Sequence, residues 1–109
     1  MKNGALVGVG VAFFSLVGCA TLTPTAPPVS PEMVSVAEKR GASGADLEAG
    51  RSLLAVRCTS CHSLLPISAY TPAEWAANVA EMAPRARLTP AESAKVTAYL
   101  VAAREATER

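Results

Sequence analysis

Cys58, Thr59, Ser60, Cys61 and His62 form the pattern C-x-x-C-H and gather the side chains of this chain best suited to chemistry. Four chemistries use all or part of it. A disulfide between the two thiols is one, but so small a loop stabilises little. A thioredoxin-like redox pair is another, and it sits in a βαβ unit. Zinc needs a fourth ligand beyond two Cys and one His, and the chain has one histidine in all. The whole pentapeptide is the attachment pattern of haem c. Two thiols three apart on a turn can add to the two vinyl groups of one haem. The histidine that follows is then held beneath the iron as the proximal ligand.

The elements that must position these residues read as helices, with no run of period-two alternation for a strand. The first helix runs from about Asp46, its expected cap, to Cys58, with Leu47, Gly50 and Leu54 on one face and Leu53 beside them. Thr71-Pro72-Ala73-Glu74 announces the second, as a capping box with proline at the first helical position. Its apolar stripe is Trp75, Val79 and Met82, and Pro84 ends it. Thr89-Pro90-Ala91-Glu92 repeats the device for the third, with Leu88 as a hydrophobic staple and Val96, Tyr99, Leu100 and Ala103 as the buried face. The expected fold class is all-α, a small three-helix domain.

Upstream, Lys2 is the only charged side chain before Glu32, and an apolar run from Ala5 to Val17 follows it. This is the form of a secretory signal. Leu16-Val17-Gly18-Cys19 resembles the lipobox of bacterial lipoproteins. The resemblance implies cleavage before Cys19, lipidation of its thiol and acylation of its amine. Several acyl chains hold firmly where one does not, at about 0.8 kcal/mol per buried CH₂. The competing readings are an uncleaved transmembrane helix, since residues 4–22 carry no charge, and a soluble secreted protein. All three place the rest of the chain on the exported side, and the first puts it on the periplasmic side of a bacterial membrane. Alanine after Cys19 slightly favours the outer membrane within that family. Thr21 to Pro31, with its prolines and threonines, reads as an extended spacer. Glu32 to Gly44 reads as poorly ordered or a loose helical turn. The expected division is residues 1–18 as signal, 19–45 as lipidated cysteine and tether, and 46–109 as the folded domain.

Ten Lys+Arg stand against nine Asp+Glu in 109 residues, which leaves no basic stripe for nucleic acid. Half the residues are hydrophobic but only 5% are aromatic. Asp46 to Arg109 leaves about 64 residues to build a core, a size that usually needs a disulfide, a metal or another filler. A flat apolar haem bonded at Cys58, Cys61 and His62 would supply it.

With these residues in place, the segment from Asp46 to Arg109 resembles a small class I c-type cytochrome with one covalent haem. That family has an N-terminal helix leading into C-x-x-C-H and a C-terminal helix crossing it near a right angle. A glycine eight residues before the first cysteine permits the close approach, and an apolar residue lies four before it; Gly50 and Leu54 stand at those offsets. Val96 and Tyr99 match the aliphatic–aromatic pair of the family's last helix. Glycine inside a helix costs about 1 kcal/mol relative to alanine unless the missing side chain is needed, and packing against Tyr99 would need it. Leu54, Trp75, Val79 and Tyr99 are the expected haem-packing residues.

The family usually places a methionine opposite the histidine. Met82 is the candidate here, since Met1 leaves with the signal and Met33 lies beside the tether. Core packing is the ordinary role of such a methionine; an open sixth site or ligation by Met33 are the alternatives. The interval from His62 to Met82 is shorter than in many members, and Pro66 stands close to the histidine for the family's carbonyl partner. Trp75 is a candidate donor to a haem propionate. Arg85 and Arg87 are candidates to neutralise propionates or to form a docking face, against a default of solvated loop charges.

The resemblance implies single-electron transfer by a membrane-tethered carrier that exchanges electrons with redox partner proteins. No nucleic acid and no small-molecule substrate are expected, and no enzyme active site is visible: there is no second histidine, no usefully spaced carboxylate pair and no glycine-rich phosphate loop. The alternatives are a five-coordinate haem that binds a gas or peroxide, as sensor or weak peroxidase, and a haem-bearing subunit of a larger dehydrogenase.

Overall fold

The computed structural model describes residues 26–59 and 63–108, and every regular element among them is helical. The helices are α1 (Pro31–Glu38), α2 (Gly44–Leu53), α3 (Pro72–Met82) and α4 (Pro90–Thr107). α2 runs on into a single π turn, Leu54–Cys58, and a short 3-10 turn, Ile67–Ala69, leads into α3. The all-α expectation holds, with four α-helices in place of three.

Three helices start by the same reciprocal device. Thr71 Oγ1 accepts from the Glu74 amide at 3.2 Å while the Glu74 carboxylate accepts from the Thr71 amide at 2.8 Å. Thr89 and Glu92 repeat it at 3.2 and 2.9 Å. At α2 the cap is Ser43, not Asp46. Asp46 is the third helical residue, and its carboxylate accepts from the Ser43 amide at 2.9 Å. Each pair satisfies two amides that a helix start would otherwise leave unpaired.

α1 lies where a loose segment was expected. Ser30 caps it by accepting from the Met33 amide, and Pro31 opens it. Met33, Val36 and Ala37 are buried, at the i, i+3, i+4 spacing that gives a helix one apolar face. Gly41, at φ 82°, closes it: the Ala42 amide bonds the Ala37 carbonyl at 3.0 Å and the Gly41 amide bonds Glu38 at 3.1 Å. The folded unit therefore includes residues that had been expected in the tether.

α4 is the central helix, and α1, α2 and α3 all pack on it. Val96 and Tyr99 are fully buried, and Leu100 is nearly so. Gly50 sets the closest approach. A Cβ there would lie 2.6 Å from the Lys95 carbonyl carbon and 3.1 Å from Tyr99 Cβ. The neighbour is backbone, which cannot swing aside, so the crossing needs glycine as the spacing had implied.

The same crossing is strapped by the segment before α1. Tyr99 Oη donates to the Pro27 carbonyl at 2.6 Å. Arg51 Nε donates to the Ala26 and Pro27 carbonyls at 3.2 and 3.1 Å. Burial, opposed by the nearby Arg51 charge, pushes the Tyr99 hydroxyl up to about 12.

Two outcomes follow. Gly50→Ala, which would gain about 1 kcal/mol of helix propensity on an open helix, is expected to lose about 3 kcal/mol here through overpacking; the urea midpoint at unchanged slope measures it. The folded Tyr99 stays protonated above the ordinary tyrosine value near 10, so stability is full below pH 10 and falls as pH rises toward 12. Tyr99→Phe should flatten that fall and cost about 1 kcal/mol near neutrality, both read from unfolding curves across pH.

Candidate functional site

The π turn at the end of α2 is where the helix delivers its chemistry. Such wide turns inside helices often mark functional positions. Here both its ends, Leu54 and Cys58, line one cavity. Thr59 Oγ1 donates to the Ala55 carbonyl and helps to close the turn. Burial raises the Cys58 thiol above its ordinary value. Reactive redox cysteines are the opposite, lowered by nearby positive charge or a helix N-terminus.

α3 supplies another wall. Trp75 and Val79 are buried on the face that also carries Met82, and all three line the cavity. α2 and α3 both pack on α4 without an extensive contact between them, so the space between the two walls is backed by α4 through Leu100. The cavity measures about 240 Å³, or about 1040 Å³ when all empty space up to and including its open mouth is counted. Leu64, Leu65 and Leu88 complete an apolar lining, with Leu65 44% exposed at its position. Arg57, Glu81 and Arg85 are the charged residues in the lining.

Trp75 is held from two sides. Its indole N–H donates to the Ile67 carbonyl at 2.9 Å. Tyr70 meets its ring edge to face, centroids 4.9 Å apart. Arg104 in turn donates from Nε to the Tyr70 carbonyl at 2.9 Å, which fixes this segment on α4.

Of the residues expected around a haem, Leu54, Cys58, Trp75, Val79 and Met82 come together here. Tyr99 does not. It turns to the Gly50 crossing and to Pro27, and Leu100 beside it lines the cavity. The Trp75 indole N–H is spent on Ile67, which leaves a propionate role without its donor. Met33 is buried on α1, outside the cavity lining. Arg85 reaches the cavity, whereas Arg87 is exposed in a left-handed turn at φ 55°. The Pro66 carbonyl accepts from the Ala69 amide at 2.9 Å. Cys61, His62 and Cys19 lie outside the described residues. No group of three His, Cys, Asp or Glu side chains gathers as a metal site among the described ones.

Arg57, Leu64, Tyr70 and Asn78 were missed. Asn78 had a signal, since it lies four residues before Met82 and so on the same helical face. Leu64 and Tyr70 had none, because loop residues carry no periodicity.

These residues fit a haem c by the chemistry of their donor set: an apolar cavity with the first thiol of C-x-x-C-H in one wall and a thioether in another. Trp75→Phe is expected to leave the Ile67 carbonyl without its donor and to cost about 1–3 kcal/mol, measured by urea unfolding. No family model, curated protein or solved structure matches this chain.

Proposed function

We propose that this chain is a class I-like c-type cytochrome that carries single electrons on the exported side of a bacterial envelope, held to the membrane through Cys19. The observation that carries the reading is that Cys58 and Met82, far apart in sequence and on different helices, line one apolar cavity. Cys58 and Cys61 are the covalent attachment points, His62 the proximal ligand and Met82 the sixth ligand. When bound, haem supplies the one-electron couple of its iron.

The chain's own residues do the rest. Leu54, Trp75, Val79 and Leu100 give the cavity apolar walls, and an apolar surround is one of the levers that set the potential. A thioether at the sixth position raises it further. Arg85 brings positive charge to the cavity, where it would balance the carboxylates of the cofactor. The strap over Tyr99 and Arg51 bears on the anchor as well. Residues 20–25 alone separate Cys19 from the docked strap at Ala26, a span of at most about 25 Å even fully extended. On this reading the carrier works close to the bilayer. Among the described residues no helix is long and apolar enough to cross a membrane, and residues 4–22 lie outside them.

Met82→Ala in the haem-loaded protein tests the assignment. The far-red thioether–iron band of the oxidised parent should vanish, and carbon monoxide should bind the reduced variant rapidly. An unchanged band excludes Met82. Fast, stoichiometric carbon monoxide binding to the parent near neutral pH would favour the gas- or peroxide-binding alternative.

A further inference from the structure

The wall that carries Cys58 and the wall that carries Met82 both rest on α4, and Arg57 links them directly. It immediately precedes Cys58 at the end of the π turn and lines the cavity. Its Nη1 donates to the Ala86 carbonyl at 3.4 Å and to the Arg87 carbonyl at 3.2 Å. Those carbonyls end the turn that follows Met82.

That turn is built to present them. The Ala86 amide bonds the Met82 carbonyl at 2.9 Å, the Arg87 amide bonds Pro84 at 3.3 Å and the Leu88 amide bonds Ala83 at 3.0 Å. This is the same closure that ends α1 at Gly41, but the left-handed position is taken by Arg87 at φ 55°. A side chain there is unfavourable, and such strain persists where surrounding contacts hold it. The guanidinium meets the two carbonyls at the C-terminal end of a helical segment, where positive charge is favoured.

We infer that Arg57 is a positioning residue: by tying the turn after Met82 to the turn that carries Cys58, it holds the methionine wall over the cavity and limits ligand access to the iron's sixth side. The inference rests on the proposed haem site for its second half. The tie itself does not.

Arg57→Gln and Arg57→Lys in the haem-loaded protein separate the two. In Arg57→Gln, amide exchange at Ala86, Arg87 and Leu88 should quicken about tenfold, as for loss of hydrogen bonds from a charged donor. The Val96–Leu100 amides should stay at the parental rate. Carbon monoxide binding to the reduced protein should quicken by a similar factor, and Arg57→Lys, still charged, should restore part of both. Unchanged exchange at 86–88, or equal quickening throughout α4, overturns the tie. Faster exchange with unchanged carbon monoxide binding overturns its control of ligand access. If the parent already binds carbon monoxide at the variant's rate, Met82 ligation fails, and the exchange result alone decides the tie.

Discussion

The fold turns on the contact at Gly50, where the backbone of α2 meets the backbone of α4 at Lys95. Backbone against backbone leaves no side chain to adjust, so this crossing sets where α2 can point. Tyr99 lies beside it, wholly buried, and turns its hydroxyl to the Pro27 carbonyl. The crossing thus fixes α2 and also receives the strap that leads into α1. With α2 set on one side of α4 and α3 on another, the two leave an apolar space between them. That space is filled by neither helix.

Much of this was legible from spacing. The two Thr-Pro-Ala-Glu boxes start α3 and α4 as their chemistry requires, and the faces Trp75–Val79 and Val96–Tyr99–Leu100 are buried. Gly50 was legible because a helical glycine calls for a reason. Asp46 was misplaced by one role, since a carboxylate serves either as a cap or as the partner three residues in, and Ser43 competes better for the cap. α1 was passed over although Ser30-Pro31 offers a cap and a first-turn proline, because no glutamate stands three residues after the cap. Its apolar face is short, and the prolines before it read as spacer; only docking on α4 gives so short a helix its stability. Tyr99 was expected both at the Gly50 crossing and against the haem; it packs at the crossing, and Leu100 beside it lines the cavity. Periodicity identifies a buried face, but not which of two buried neighbours a residue meets.

The cavity shows how a small domain can carry an apolar space. Its walls come from α2, α3, α4 and the loop between the first two, and each is secured by contacts outside the cavity: Gly50 and Tyr99 behind α2, the capping box before α3, Arg104 behind Tyr70. A void of this kind costs stability when nothing fills it. A cofactor bonded to the chain would convert that cost into a core, which is why the functional reading and the structural one depend on the same group.

The most direct measurement is mass spectrometry of the mature chain made in a host that attaches haem to exported proteins. The account predicts one haem added to the polypeptide, carried on the peptide that holds Cys58 and Cys61. The bare polypeptide, from a host shown to load another such protein in parallel, would contradict it.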